Sequence, residues 1–230
     1  MGSKKIAILQ SNYIPWKGYF DMIANVDVFV IYDEVQYTKN DWRNRNIIKT
    51  KNGLQWLTIA VRQESLSQAI CETLVFKTNW TKKHIGTLQA NYSKAPYFSD
   101  YKDRIFKIYE NASINLSEIN ISFIKEICAI LEIDTKIIDS RSLNLTGDKQ
   151  ERLVQACKQL NADTYLSGPA AKNYIDEDFF SNHQINVEWM DYSNYKTYNQ
   201  LHPPFEHRVS ILDLIFNEGP NAKKYLKSYT

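Results

Sequence analysis

The chain carries almost no net charge. Its 28 Lys and Arg against 26 Asp and Glu leave +2 at neutral pH, which excludes the strongly basic character of a dedicated nucleic-acid binder. No apolar run is long enough to cross a bilayer, and the opening MGSKK lacks the apolar core of a secretory signal. Cysteine is scarce. Cys71, Cys128 and Cys157 stand far apart and form no metal-binding spacing. Each lies in an apolar or helical context, as expected of reduced core thiols in a cytoplasmic protein. The familiar fingerprints are missing too: no GxGxxG, no GxxxxGK[ST], no HExxH and no CxxC. No carboxylates recur at ligand spacing, so no metal is expected. Without a linker, repeat or low-complexity tract, the 230 residues read as a single α/β domain over 1–230.

What is present is tyrosine, 15 residues of it, whose flat apolar face and polar tip suit sugar and nucleobase contacts. The apolar pattern then lays out the elements. Residues 5–10 read as a central strand, 17–25 as a helix and 26–32 as a strand covered on both faces. That spacing predicts a right-handed parallel βαβ unit. Residues 47–51 and 54–61 flank Asn52-Gly53, the signal of a type I′ hairpin. Helical periodicity follows over 80–92, with Asn79 as cap, then over 97–110 and 117–131. Alternation resumes with a strand at 135–139 and a helix at 149–160, opened by an Asp148–Glu151 capping box. Strands at 164–167 and 186–191 and terminal helices at 210–216 and 221–229 complete the chain. The expected fold is α/β: a largely parallel sheet flanked by helices, with a β-hairpin and a helical insertion from about 80 to 131.

Function is expected where parallel strands end, because the sheet holds those loops rigidly and ligands bind beyond the strand C-termini. The first strand is followed by Gln10, Asn12, Tyr13, Trp16 and Lys17. After the second come Asp33, Glu34, Gln36 and Lys39, of which one carboxylate at most faces a given site, since successive strand residues point opposite ways. DWRNRN sets Trp42 between Asp41 and Arg43, with Asn44, Arg45 and Asn46 beyond. Two arginines beside an indole suit a phosphate and a stacked ring. Single-stranded nucleic acid is bound with similar chemistry, but one cluster on a near-neutral chain points to a small phosphorylated ligand, and no stable nucleic-acid partner is expected. His84 shares a helical stripe with Trp80 and Leu88. It reads either as a satisfied core residue or as a general base. Ser167-Gly168 again follows a strand, so its backbone N–H groups suit an anion or a carbonyl oxygen, though this is no G-x-S-x-G elbow. Asp176 and Asp178 read as caps of a short helix.

PWKGYF stands where HxGH-type nucleotidyltransferases carry their motif, but Trp16 and Tyr19 occupy the histidine places, which argues against adenylyl chemistry. Five segments, QSNYIPWKGYFDMI, DVFVIYDEVQYTKNDWRNRNII, HIGTLQANYSKAPYF, TGDKQERLVQACKQLNADTYLSG and SILDLIFNEG, resemble the WbqC-like protein family in order and over nearly the whole chain. Gln10, Tyr13, Pro15, Gly18, Tyr19 and Phe20 stand at its opening motif. Asp27, Asp33, Gln36, Trp42, Asn44, Arg45 and Asn46 fit the second, and Thr146, Gly147, Arg152, Leu153, Ser167 and Gly168 the third. Two places depart from the pattern. Ser11 replaces the proline that usually follows Gln10. The family's His-Pro ahead of Tyr-x-Gln is missing before Tyr198-Asn199-Gln200, with His202-Pro203 downstream instead.

The resemblance implies a role in bacterial O-antigen (lipopolysaccharide) or related surface-polysaccharide biosynthesis, and the transfer of glycine or another acyl group to an amino sugar. The expectation is therefore a cytoplasmic transferase that forms an amide on a nucleotide-linked amino sugar. Asp33 or His84 would take the proton, while Asn44 or the backbone near Gly168 would face the oxyanion. Arg43, Arg45 and Lys17 would hold a diphosphate, with Trp16 or Trp42 stacked on a ring and Gln10, Asn12 and Gln36 completing the site. No resident cofactor is expected. The acyl donor is left open among a thioester, an aminoacyl-tRNA and an ATP-activated acid, and the sequence leaves the oligomeric state open. The alternatives are a non-enzymatic sugar-nucleotide-binding assembly protein and a glycosyltransferase.

Overall fold

The first apolar run forms β1 (Lys5–Leu9), the middle strand of a five-stranded parallel sheet, in a computed structural model that describes residues 3–76 and 79–229. The chain continues through α1 (Lys17–Ala24) into β2 (Val28–Ile31), which pairs beside β1 in parallel. A long excursion follows. It holds the hairpin β3 (Arg45–Thr50) and β4 (Gly53–Thr58), a small ribbon of β5 (Val61–Arg62) and β6 (Leu74–Val75), and three helices. These are α2 (Trp80–Tyr92), α3 (Phe98–Glu110) and α4 (Leu116–Ile130). The chain returns as β7 (Lys136–Asp139) beside β2. It then passes through α5 (Lys149–Gln159) to β8 (Thr164–Ser167), on the other side of β1. The elements α6 (Glu177–Asn182), β9 (Asn186–Trp189) and α7 (Ile211–Glu218) complete it.

The strand order is β7-β2-β1-β8-β9. From β1 the chain builds outward in one direction and then crosses over to build in the other. The gap between the C-terminal ends of β1 and β8 is therefore a topological switch point, where the loops leave in opposite directions and open a crevice. The side-chain period of two sorts the sheet residues onto two cores. Ile6, Ile8, Val28 and Val30 pack with Leu153, Val154 and Cys157 of α5 and Phe180 of α6. Ala7, Phe29 and Ile31 face Phe20 and Ile23 of α1, Ile124 and Ile127 of α4, and Ile215 of α7. Both faces are covered, which is why β2 reads as an unbroken apolar run.

The expected α/β fold is present, including the parallel sheet, the hairpin and the helical insertion. Local differences have local causes. The hairpin turn places Lys51 and Asn52 between paired Thr50 and Gly53, and the positive φ (100°) falls on Gly53 alone. A type I′ turn needs positive φ at both central residues, so it is not formed. Instead the Thr50 hydroxyl accepts from Asn52 N–H and donates to Gly53 O. Asn79 occupies the cap position of α2 without a side-chain capping bond. Residues 221–229 wind as 3₁₀ turns, Gly219–Tyr225 and Lys227–Tyr229, where an α-helix was expected. The Asp148–Glu151 capping box is made in both directions, and Asp176 caps α6. Cys128 and Cys157 are buried and Cys71 is half-buried, all three unpaired.

Candidate functional site

The loop after β1 is held by a buried carboxylate. Ser11 gives its N–H to Asp33 Oδ1 (2.8 Å) and its hydroxyl to Asp33 Oδ2 (2.7 Å). Ser117 of α4 adds a third donor to Asp33 Oδ2. Asn120 on the same helix donates to Ser11 Oγ (3.2 Å) and to the carbonyl of Arg43 (2.8 Å). Asp33 thus ties the ends of β1 and β2 to α4, and the N–H it uses is one that a proline at position 11 would lack.

On this anchored loop stands a polar cluster. Arg43 donates from Nη1 to Asn12 Oδ1 (2.7 Å) and from Nη2 to Gln10 Oε1 (3.2 Å), with Asp41 3.6 Å away. Asn46, at the start of β3, donates to the carbonyls of both Tyr13 and Ile14 (3.0 Å each). It thereby holds Ile14 at φ 35°, a left-handed conformation that costs a β-branched residue. These contacts shape a cavity of about 190 Å³ lined by Asn12, Pro15, Trp16, Trp42, Asn46 and Arg208. Trp16 and Trp42 are both in its wall. The Arg208 guanidinium has no hydrogen-bond or ion-pair partner among the described residues.

Trp16 is placed by its neighbours. A Cβ on Gly18 would overlap its ring, so only glycine lets the indole fold back over the start of α1. Tyr192 meets it edge-on at 5.2 Å. The Tyr192 hydroxyl also lies 3.8 Å from where a Cβ of Gly168 would sit, so this one side chain spans from the end of β8 to the loop after β1. The arrangement can take a ring against indole, donate a hydrogen bond through the Asn12 amide, whose oxygen is held by Arg43, and hold an anion at Arg208.

The other expected site residues are elsewhere. Neither group expected to take a proton lines the cavity. Asp33 is 2% exposed and its carboxylate is filled by three donors. His84 is buried between Trp80 and Tyr109. Its Nδ1 lies 2.8 Å from the Tyr13 hydroxyl, which is 2.6 Å from that of Tyr109. Burial lowers the imidazole pKa to about 4, against a smaller opposing effect from its bond to the Thr58 backbone. Tyr13 is therefore a core residue whose backbone, not its ring, borders the site.

Lys17 is buried as well. Its Nζ donates to the Lys196 carbonyl (3.2 Å) and sits 4.9 Å from the Tyr195 ring and 5.5 Å from that of Tyr198. Burial lowers its pKa to about 8, partly countered by Asp21 and Asp213. Arg45 lies over Trp56 at 4.2 Å. Asn44 gives its amide to the Ile59 carbonyl, Gln36 gives its own to Leu66 O, and Ser167 is buried beside Tyr165. The site thus unites Gln10, Asn12, Trp16, Trp42 and Arg43, places Gly168 beside them through Tyr192, and leaves out Asp33, His84, Lys17, Gln36, Asn44, Arg45 and Ser167. His202 is remote too, bonded to the Asn91 carbonyl. Tyr198 and Gln200 instead grip the buried Asp213 at 2.7 and 2.9 Å.

Sequence reasoning missed Tyr192 and Arg208. Both lie in the irregular stretch between β9 and α7: Tyr192 follows the end of β9, a strand end that was given no role, and Arg208 stands far beyond it, just before α7. Asn46 was visible in DWRNRN but carries its role through backbone carbonyls that only the fold brings near.

Comparison with known proteins gives a consistent kinship. The model of the WbqC-like protein family matches residues 10–225. The uncharacterized protein Rv1507c of Mycobacterium tuberculosis is 49% identical over 226 residues, covering 97% of this chain and 98% of that protein. No solved structure matches significantly.

Proposed function

We propose, taking as premise that the chain belongs to the WbqC-like protein family, that it binds a nucleotide-linked amino sugar at the β1/β8 switch point and transfers an acyl or aminoacyl group, such as glycyl, to the sugar amine. The observation that carries this reading is the cavity lined by Trp16, Trp42, Asn12 and Arg208, whose guanidinium has no partner among the described residues. An indole suits a ring face, an amide suits sugar hydroxyls, and a guanidinium suits a phosphate. In the transfer, the amine attacks the activated carbonyl, a C–N bond forms, the bond to the leaving group breaks, and the amine proton passes to the departing group or to water. The protein's part is to hold the amine and the carbonyl in line, which alone lowers such barriers substantially. The pathway is that of O-antigen or a related polysaccharide, and three unpaired cysteines fit a reducing cytoplasm.

A second reading, a sugar-nucleotide-binding assembly protein without turnover, is favoured by one observation: neither Asp33 nor His84 opens into the cavity. One experiment separates the two. Thermal shifts against amino-sugar nucleotides identify a ligand, because a ligand of the folded state raises the midpoint by mass action. Mass spectrometry then seeks the amide after incubation with a thioester, an aminoacyl-tRNA, or ATP with an amino acid. Binding with product supports the transferase. Binding without product from any donor favours the second reading, and no binding of any nucleotide sugar sinks both.

A further inference from the structure

Beside the cavity an exposed aromatic ridge runs from Trp42 in its wall to Trp56, which no role above accounts for. Trp42 is 41% and Trp56 43% exposed, and their rings stand 5.5 Å apart at 34°. Large apolar side chains left in water in a contiguous patch mark surfaces that are covered in function. This patch is built and held. Trp56 sits on β4 opposite Ile47, and the Arg45 guanidinium covers its ring at 4.2 Å. Trp42 belongs to both the ridge and the cavity wall, so the two surfaces are continuous.

The cavity is also too small for the ligand assigned to it. Its volume of about 190 Å³ falls below the roughly 300–1,000 Å³ of sites that enclose a drug-sized molecule. One ring and a phosphate fit, while the rest of a nucleotide-linked sugar has to lie outside. The two surfaces differ in chemistry as the two ends of that ligand do. The cavity is lined by Asn12 and Arg208, whose amide and guanidinium suit hydroxyls and phosphate. The ridge offers two part-exposed indoles, Trp56 backed on one face by Arg45, and an indole face suits any flat base, since every base has a π-face.

We propose that the Trp42–Trp56 ridge is a second subsite, which stacks the nucleobase of the sugar nucleotide, while the cavity takes the sugar and Arg208 its phosphate. This inference rests on the reading of the cavity given above and adds Trp56 as a binding residue. It also orients the ligand: base outward over the hairpin, sugar amine inward toward the β1/β8 crevice.

Calorimetric titration tests it with UDP-, dTDP- and GDP-linked glucosamine, glucosamine 1-phosphate, ATP and coenzyme A. The proteins are the native chain, Trp56→Ala, Trp56→Phe and Arg208→Ala. Loss of the stack in Trp56→Ala is expected to weaken the nucleotide-linked sugars about tenfold or more, leave glucosamine 1-phosphate within about twofold, and be largely rescued in Trp56→Phe. Arg208→Ala is expected to weaken all of the sugar phosphates. Unchanged binding of the nucleotide sugars to Trp56→Ala, with loss in Arg208→Ala, overturns the second subsite and leaves the cavity reading standing. If Trp56→Ala weakens only ATP or coenzyme A, the ridge serves the donor's adenine and the assignment is wrong. If no nucleotide-linked sugar binds the native chain, the inference and the cavity reading fall together.

Discussion

The hydroxyl of Tyr13 stands 2.8 Å from Nδ1 of His84, which couples the loop after β1 to the middle of α2. A neutral imidazole needs one donor and one acceptor as partners, and here the Tyr13 hydroxyl and the Thr58 backbone supply them. The same contact that holds the loop in place keeps the His84 ring in the core, away from the cavity wall.

This makes His84 a source of acid sensitivity. Its pKa is about 4 in the folded protein against 6.5 when exposed. Between those values the unfolded chain binds a proton that the folded chain refuses, so the stabilisation is complete above pH 6.5 and is lost as the pH falls toward 4. The slope approaches about 1.4 kcal/mol per pH unit, on the order of 3 kcal/mol in all. Urea unfolding of the native protein and of His84→Gln, followed from neutral to mildly acid pH, should show the native protein losing stability faster. Parallel pH profiles would contradict a buried neutral imidazole.

Removing the Asp33 carboxylate leaves an N–H and two hydroxyls buried without their acceptor. Asp33→Ala is expected to cost about 2–4 kcal/mol of stability, measured by denaturant titration. Once a turnover assay exists, activity per folded molecule should stay within about tenfold in both Asp33→Ala and His84→Gln, because a lost general base costs more than that. A loss of a thousandfold in either would restore it as a catalytic base.

Gly18→Ala places a methyl group where the Trp16 ring now lies. The indole must swing out of the cavity wall. Affinity for an amino-sugar nucleotide should drop about three- to tenfold with the lost ring contact, alongside about 1–3 kcal/mol of overpacking cost. Tryptophan near-ultraviolet circular dichroism should change with it. An unchanged spectrum and affinity would remove Trp16 from the site.

Gly86 provides the opposite case. It lies exposed in the interior of α2, with nothing within 4 Å of an added Cβ. Gly86→Ala should stabilise the protein by about 0.5–1 kcal/mol through backbone entropy and helix propensity, without altering ligand affinity. A destabilised variant would mean that α2 packs against something at this position.

Much of the fold was legible because it rests on local periodicity. The continuous apolar run of β2 announced a strand covered on both faces. Trp80–Tyr92 and Thr164–Ser167 begin and end where their patterns do, and Asp148 with Glu151 marked the start of α5. The hairpin was legible and its turn was not, because Thr50 closes it through a side chain. At the site, the loop after β1 was visible from its place after a strand. Asp33 and His84 looked reactive as residue types, but burial and saturated hydrogen bonding decide what a carboxylate or an imidazole does, and neither is written in the nearby sequence.

By itself, then, the sequence determined the elements, the parallel sheet and the strand-end loop bearing Gln10, Asn12 and Trp16, since these follow from the period of apolar residues and from turn and cap chemistry. Only the tertiary structure decided which side chains meet. Asn12 and Arg208 are almost two hundred positions apart, and they share one cavity because the chain ahead of α7 returns to the loop after β1, where Ile211 N–H meets the Pro15 carbonyl and Ser210 N–H that of Ile47. That return is set by the burial of α7 against the sheet and the hairpin, which no local pattern records.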